Sequence, residues 1–196
     1  MEVLSIYRNK FNSKRDILNF IDIRDSKIND DEELGNLLVE TFRETNAEKN
    51  VSSIMNCERE YELRNTKLRR ENALVRVVEL GNKLVGSYTL SMPESKTHDS
   101  WNKHSCYLST VAVHRVLHGL GIGRMLVLEA IMKSLETPSK HLTLYVEKNA
   151  PRLQSFYKSF GFYHDPLGDQ TSCGMDLLGN TCDLCFIKAN NLLKAI

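Results

Sequence analysis

Apolar residues along this chain recur at two spacings, and the spacing changes from one segment to the next. An every-second-residue pattern predicts a strand, whereas apolar positions three or four residues apart predict a helix. Gly81-Asn82 separates two of the predicted strands and marks a short hairpin turn. The predicted strands cover residues 17–24, 73–80, 84–90, 106–113, 141–146 and 182–189. The predicted helices begin at 29–33, near Ser53, at Gly121 and at Pro151.

The predicted helices differ in how much of their surface is apolar. The first opens with the acidic run 29–33, which suits the positive end of a helix dipole. Its apolar face consists of Leu34, Leu37, Leu38, Thr41 and Phe42. The second, near 53–70, carries a mixed run of Glu and Arg that we interpret as a solvated face. The third, 121–136, is apolar over most of its surface, so we expect it to be largely buried.

The order of these elements, β-αα-βββ-α-β-α-ββ, predicts a mixed α/β fold. We expect a central mixed sheet of about seven strands, flanked by helices on both faces. Hydrophobic residues make up 41% of the chain, which is enough for a packed core. No linker-like Gly/Ser run interrupts the sequence, so we expect a single domain over residues 1–196. Residues 1–15 precede the first predicted strand and form an N-terminal extension without an assigned element.

Three alternating glycines, Gly119, Gly121 and Gly123, lie between a predicted strand and a predicted helix. Glycine adopts positive φ without steric penalty and lets a ligand approach the backbone closely. Successive backbone N–H groups in such a turn form a concave donor site, and the following helix N-terminus adds further donors. A phosphate or pyrophosphate is the natural occupant of this arrangement.

Two familiar phosphate-binding motifs do not fit these glycines. The dinucleotide motif G-x-G-x-x-G requires a final glycine, and that position is Arg124 or Leu126 here. The triphosphate loop requires a Gly-Lys pair, which the chain lacks. A nucleotide-binding protein is therefore disfavoured.

Two motifs together resemble the GNAT superfamily, the acyl-CoA-dependent N-acetyltransferases. The family has [QR]-x-x-G-x-[GA] between a strand and a helix, and His118-Gly-Leu-Gly-Ile-Gly-Arg124 is similar to it. A later family helix ends in F/L-Y-x-x-x-G-F, which Phe156-Tyr-Lys-Ser-Phe-Gly-Phe162 matches. The resemblance is strong over 106–163, which would be the acetyl-CoA-binding core. The chain departs from the pattern at two positions. His118 replaces the family's Gln or Arg, and Ala150 stands where the family usually has Asn, while Asn149 lies one residue earlier.

The resemblance implies an acetyltransferase with acetyl-CoA as its acyl donor and a direct transfer to a primary amine within a ternary complex. The pantetheine arm would pair with the strand at Val111–Val113, with the Val111 N–H as oxyanion donor. The pyrophosphate would bind the N–H groups of 119–124, and Tyr157 would be the general acid. The implied cofactor-binding residues are Val111, Ala112, Val113, His118, Gly119, Leu120, Gly121, Ile122, Gly123, Arg124 and Asn149.

The general base is left open by the sequence. Many relatives carry a carboxylate on the strand before the glycines, where this chain has Tyr107 and Ser109. Glu147, at the end of the next strand, is the catalytic candidate that we name beside Tyr157. The other candidates are His98, Asp99, His104 and a water chain ending at one of these groups.

The acceptor is also open: a small molecule, a protein N-terminus or a lysine side chain would each fit. We expect its specificity to arise from the first two helices and the polar loop 91–104. Three acids of the second helix are candidates for attracting a cationic amine, and Trp101 for an aromatic wall; the acids are Glu58, Glu60 and Glu62.

The net charge and the N-terminal sequence bear on the partners and the location that we expect for this protein. The formal net charge of +1 indicates neither a nucleic-acid nor a membrane partner. The first residues lack a basic start and a long apolar run, so we expect no signal peptide and a cytoplasmic protein. A homodimer is one option for its assembly.

Five cysteines suggest free thiols, and the C-x-x-C pair Cys182/Cys185 alone is too weak a signal for a metal site.

A second functional hypothesis is a regulatory module that binds CoA without turnover. His118 and the missing strand carboxylate favour it, whereas Tyr157 and the intact glycines favour the enzyme.

Overall fold

The computed structural model describes residues 19–48, 57–96, 100, 102–169 and 183–189. The predicted N-terminal extension, residues 1–15, lies outside them. The described helices are α1 Asp31–Glu48, α2 Cys57–Arg64, α3 Thr66–Asn72, α4 Ile122–Leu135 and α5 Pro151–Lys158. The strands are β1 Ile21–Asp25, β2 Leu74–Leu80, β3 Lys83–Ser91, β4 Cys106–Val113, β5 His141–Glu147, β6 Tyr163–His164 and β7 Asp183–Ala189.

The seven strands form one sheet in the order β1-β2-β3-β4-β5-β7-β6. The β1/β2, β5/β7 and β6/β7 pairs are antiparallel, and β4 is parallel to β5. The sheet is therefore mixed, and the predicted mixed α/β fold with about seven strands is confirmed. By compactness the described residues divide into two units, one within 1–89 and 110–127 and the other within 90–109 and 128–196.

The first unit has a core between α1 and strands β2 and β3. The apolar face predicted for α1 is confirmed, because Leu34, Leu37 and Leu38 are buried against Val75, Val77 and Leu84. Leu63 of α2 belongs to the same cluster. At the edge of the sheet, Arg24 of β1 bonds both Asp30 and Glu79 at 2.7 Å. This guanidinium holds the pKa of the Asp30 carboxyl below its usual range.

The single helix predicted near 53–70 is wrong, since the described part contains two helices that meet at Asn65. The Asn65 side chain accepts a hydrogen bond from the Leu68 N–H at 3.3 Å and begins α3 as its N-cap. Asn bonds nearby backbone readily, which favours a helix start over a helix interior. The start predicted at Ser53 lies outside the described residues.

The second unit is built on a long antiparallel pair. Strand β5 pairs with β7 along its whole length, from His141 opposite Ala189 to Glu147 opposite Asp183. Leu142, Leu144 and Val146 of β5 are buried. The final strand was predicted at 182–189, and only its first residue lies outside the described part.

Helix α4 was predicted to be largely buried, and that prediction is wrong for one of its faces. Its residues Ile122, Leu126 and Ala130 are buried, whereas Leu128 is 44% exposed and Met132 is 64% exposed. Apolar positions all around a helix do not reveal how many neighbouring elements cover it. In the described part of the chain, no helix has the length and apolar character that a membrane span requires.

Candidate functional site

Strand β4 changes its backbone geometry partway along its length. Its register with β5 consists of Cys106 opposite Leu142 and Tyr107 opposite Thr143, and within the described structure the pairing ends there. Three residues later, Thr110 has a φ of 48°. A β-branched residue in this left-handed region is a backbone outlier, and it redirects the strand that follows it. Val111–Val113 therefore continue β4 beyond its pairing with β5.

The end of β4 lies close to β3. A Cβ on Gly86 of β3 would be 3.0 Å from the Ala112 carbonyl oxygen, so glycine permits this backbone approach. Two residues further on, the His114 N–H donates to the Val85 carbonyl at 2.8 Å. Together these contacts fix the last residues of β4 against its neighbour, just before the glycine turn.

The glycine turn has the backbone that the sequence predicts for an anion site. Gly119 and Gly121 have φ values of 80° and 96°, and a Cβ on either would meet no atom within 4 Å. Glycine is thus required for backbone conformation rather than for space. Within the described structure, the backbone N–H groups of four residues of the turn have no acceptor: Gly119, Gly121, Ile122 and Gly123. The Met125 N–H, by contrast, already closes the first helical bond to the Gly121 carbonyl at 3.0 Å.

The ring of His118 forms a hydrogen bond within the protein. Its Nε2 lies 2.8 Å from the Val113 carbonyl oxygen, so the Nε2 carries a proton and donates it when this bond forms. The ring thereby ties the start of the glycine turn to the end of β4. Arg124, on the first turn of α4, is exposed. Sequence reasoning placed His118 at the cofactor but gave no sign of this internal bond.

Tyr157 lies in an aromatic cluster of the second unit. Its ring packs edge-to-face against Phe156 and Phe162, with centroids 5.2 and 5.9 Å apart. The residue is 6% exposed. Burial raises the pKa of the Tyr157 hydroxyl above its ordinary value of about 10. The phenol is therefore neutral and holds a donatable proton at neutral pH.

Glu147 ends β5, and Asn149 lies in the turn that leads to α5. The Ala150 N–H donates to the Glu147 carbonyl at 3.0 Å. Helix α5 has no side-chain cap at Ala150. Instead, the Gln154 amide donates to the carbonyls of Glu147 and Lys148 at 3.2 and 2.8 Å. Glu147 is half-buried and Asn149 is exposed.

Two tyrosines of the second unit were not singled out together by the sequence. Tyr107 of β4 and Tyr145 of β5 pack edge-to-face with centroids 5.8 Å apart. Both side chains are half-buried. Tyr107 lies opposite Thr143, two residues before Tyr145. Strand alternation would have placed each on a face, but only the register brings the two rings together.

The polar loop before β4 is anchored by hydroxyl groups. The Thr143 hydroxyl of β5 donates to Ser100 Oγ at 2.8 Å, and Ser105 Oγ lies 3.0 Å from the same Thr143 oxygen. His104 is exposed. The other loop candidates, His98, Asp99 and Trp101, lie outside the described residues.

The charged face of α2 is mostly paired, as predicted for a solvated helix. Glu60 bonds Arg64 and Arg43 at 3.0 and 2.6 Å, and Glu62 bonds Arg59 at 2.5 Å. Arg69 of α3 is different, because it is buried and bonds the Glu62 carbonyl at 2.9 Å. Burial lowers the pKa of Arg69 to about 10.

The described cysteines do not form a metal site. Cys106 and Cys185 are buried and Cys57 is exposed, all as free thiols. Over the described residues, no group of three or more His, Cys, Asp or Glu side chains has a metal-binding arrangement. Cys173 and Cys182 lie outside this part of the chain.

Comparisons with known proteins identify the family. Residues 32–162, more than half of the chain, match the Acetyltransferase (GNAT) family. No curated protein matches the chain. An acetyltransferase of the GNAT family from Staphylococcus aureus Mu50 is 18% identical, with a TM-score of 0.64 over 87% of this chain and 99% of that one.

Two further solved structures share the fold. The PaiA N-acetyltransferase from Thermoplasma acidophilum, solved in complex with coenzyme A, is 20% identical, with a TM-score of 0.61 over 86% of this chain and 98% of that one. The IAA acetyltransferase from Bacillus cereus ATCC 14579 is 16% identical, with a TM-score of 0.59 over 86% of this chain and 99% of that one. The resemblance seen in the sequence is confirmed, and this chain belongs to the GNAT acetyltransferase family.

Proposed function

We propose that this protein is an acetyl-CoA-dependent N-acetyltransferase that transfers the acetyl group directly to a primary amine in a ternary complex. The observation that carries the proposal is the glycine turn with its unused N–H groups at Gly119, Gly121, Ile122 and Gly123. Four backbone donors at the start of a helix suit a pyrophosphate, and the open space around Gly119 and Gly121 leaves room for one. CoA is the pyrophosphate-bearing ligand that a GNAT family member would take.

The remaining contacts to the cofactor follow from the end of β4. Beyond Tyr107 the strand is no longer in register with β5, so its backbone suits the amides of a pantetheine arm. We assign these contacts to Val111, Ala112 and Val113, with Asn149 at the β5–α5 turn. Arg124 and Leu120 complete the pyrophosphate-binding turn, and His118 acts by holding the Val113 carbonyl.

The chemistry assigned to this chain's residues is a balanced proton and acyl exchange. The thioester supplies an activated acyl group. A base removes the proton of the acceptor ammonium, because an unperturbed alkylamine has a pKa of about 10.4 and is protonated at neutral pH. The Val111 N–H stabilises the developing oxyanion, and Tyr157 donates its proton to the departing thiolate. The amine nitrogen loses its second proton as the amide forms, and this proton restores the Tyr157 phenol. The products are an amide, a thiol and one proton released to solvent.

Glu147 is our candidate base, either directly or through a water. It lies at the end of β5, and its carbonyl is fixed by the Ala150 N–H and by Gln154. On β4, where many family members carry a carboxylate, this chain has Tyr107 and Ser109 instead. His104 is the alternative within the described loop.

The first test is calorimetric titration of the purified protein with acetyl-CoA, with ATP and NAD as controls. We expect saturable binding of acetyl-CoA alone, followed by amine-dependent thiol release across a panel of small amines and peptides. Binding without thiol release for any amine would favour the regulatory CoA-binding module. The absence of acetyl-CoA binding would overturn the cofactor assignment.

A further inference from the structure

We propose that Thr89 and Thr110 form a positioning pair that fixes the direction of the Val111 N–H. The inference rests on the proposed function, in which that N–H stabilises the oxyanion. It adds two residues to the site that touch neither the acetyl group nor the amine and act through the backbone of β4.

The first observation is the strained conformation of Thr110. Among the residues that the structure describes, Thr110 is the only non-glycine with a positive φ, at 48°. A β-branched side chain strongly disfavours this region, so surrounding contacts must hold the residue there. It occurs within β4, a segment that otherwise reads as an ordinary strand. Such strain is commonly retained where it aims a functional group.

The second observation is the contact that holds it. Thr110 Oγ1 lies 2.6 Å from Thr89 Oγ1, a short hydrogen bond in which either hydroxyl can donate. Thr89 is only 2% exposed, and it lies in β3, where every residue from Leu84 to Ser91 is buried. The Thr89 side chain therefore has little freedom, and its hydroxyl restrains the χ1 angle of Thr110 and, through it, the backbone.

The third observation links this restraint to Val111. Rotation about φ of Thr110 turns everything that follows its Cα, beginning with its own carbonyl and the Val111 N–H. One residue further on, the Ala112 carbonyl approaches Gly86 so closely that a Cβ there would be 3.0 Å away. The backbone at Val111 is thus fixed from both sides, by a hydroxyl pair before it and by a close strand contact after it.

The test compares four single variants by kcat, KM for acetyl-CoA, CoA affinity and thermal midpoint. Thr110→Val and Thr89→Val each remove one hydroxyl while keeping the side-chain shape. We expect each to lower kcat about tenfold with little change in CoA affinity, because a misaimed donor weakens the transition state more than the ground state. Thr110→Ser keeps the hydroxyl and should retain most of the activity. Thr143→Val, which removes a buried hydroxyl bonded to Ser100, is the matched control for lost stability.

The double variant Thr89→Val/Thr110→Val should lose no more kcat than either single variant, since the two hydroxyls act as one unit. Wild-type kcat in both single variants, with thermal midpoints lowered as in Thr143→Val, would reduce the pair to a structural bond and overturn the proposal.

A readout without turnover separates this proposal from the proposed function. In protein labelled with ¹⁵N-valine, the Val111 amide signal, identified by its loss in Val111→Ile, reports the local geometry. We expect it to shift in Thr89→Val and to stay in place in Thr143→Val. If wild type transfers no acetyl group to any amine, the proposed function fails while the amide shift still tests the pair. An unmoved Val111 signal in both hydroxyl variants would refute the positioning role by itself.

Discussion

The glycine turn and helix α5 perform their proposed roles with different parts of the chain. At the turn, the functional groups are backbone N–H donors of residues such as Gly119 and Gly121, in an exposed segment. In α5, the functional group is one phenol, Tyr157, buried between aromatic rings. A backbone site depends on conformation, so a change of side chain matters there chiefly where it alters the backbone. A side-chain site depends on one atom and its surroundings, so conservative substitutions should affect the two regions very differently.

The largest effect is expected where one atom carries the role. Tyr157→Phe keeps the ring packing and removes only the hydroxyl, so we expect kcat to fall by about 10²- to 10³-fold while CoA affinity is unchanged. Steady-state thiol release and a CoA titration measure the two quantities. Tyr163→Phe removes a hydroxyl from a residue that is 53% exposed and serves as the matched control. Similar kcat values for Tyr157→Phe and wild type would remove Tyr157 from the mechanism.

The second prediction concerns conformation at the turn. Gly121→Val places a β-branched residue at a φ of 96°, which costs about 1–3 kcal/mol and turns the neighbouring N–H groups away from the proposed pyrophosphate. We expect CoA affinity to fall by about tenfold or more. The loss should appear in KM more than in kcat, the opposite of Tyr157→Phe.

Gly81 provides the control for Gly121. It has a φ of 63° in the hairpin turn between β2 and β3, so Gly81→Val introduces comparable strain away from the proposed cofactor site. Both variants should lose thermal stability, and only the change at Gly121 should weaken CoA binding. Equal CoA affinities in the two variants would show that the turn is structural.

The sequence predicts these two regions to different depths. Strand β4 begins and ends where the alternation of 106–113 places it, and Pro151 begins α5 as predicted. Such features follow from local periodicity and turn chemistry. The left-handed backbone at Thr110 could not be predicted, because threonine by itself favours an extended strand, and its hydroxyl contacts Thr89, a residue distant in sequence.

The site shows the same limit. Motif spacing named the glycines and Tyr157, and the structure gives the former unused N–H groups and the latter a buried, neutral hydroxyl. The motif spacing did not reveal the bond from His118 to Val113 or that from Gln154 to the Glu147 carbonyl, because both bonds depend on side-chain direction. The exposed apolar residues Leu128 and Met132 of α4 likewise depend on which elements cover the helix.

The third prediction uses the burial of Tyr157 to measure its environment. Burial raises the pKa of the Tyr157 hydroxyl in the folded state, whereas the same hydroxyl in the unfolded chain ionises near pH 10. Above that pH the unfolded state loses the proton and the folded state keeps it, so the free energy of unfolding falls as pH rises towards the folded pKa. From pH 10 to 11, wild type should lose about 1 kcal/mol more than Tyr157→Phe.

Denaturant unfolding between pH 8 and 11 measures this difference. Tyr163→Phe, a change at an exposed residue, should give a curve parallel to that of wild type. Parallel curves for Tyr157→Phe and wild type would mean that the Tyr157 hydroxyl reaches water and is not held in a desolvated aromatic cluster.

The smallest effect is expected at His118, where a side chain supports the backbone site. His118→Ala removes the bond to the Val113 carbonyl, worth about 1 kcal/mol, so CoA affinity should weaken by about fivefold. His118→Gln supplies an amide donor for the same carbonyl and should retain affinity close to wild type. His141→Ala, at a half-buried histidine of β5, controls for the loss of an imidazole.

The three affinities distinguish two ways in which the glycine turn can keep its shape. A loss in His118→Ala that is recovered in His118→Gln would show that the donor to Val113, and not the imidazole as a charged group, supports the turn. That result would explain how the chain departs from the family's Gln or Arg at this position and still presents the same N–H groups. Equal affinities in all three proteins would mean that the glycine conformations alone define the site, and the contrast between a backbone site and a side-chain site would then be complete.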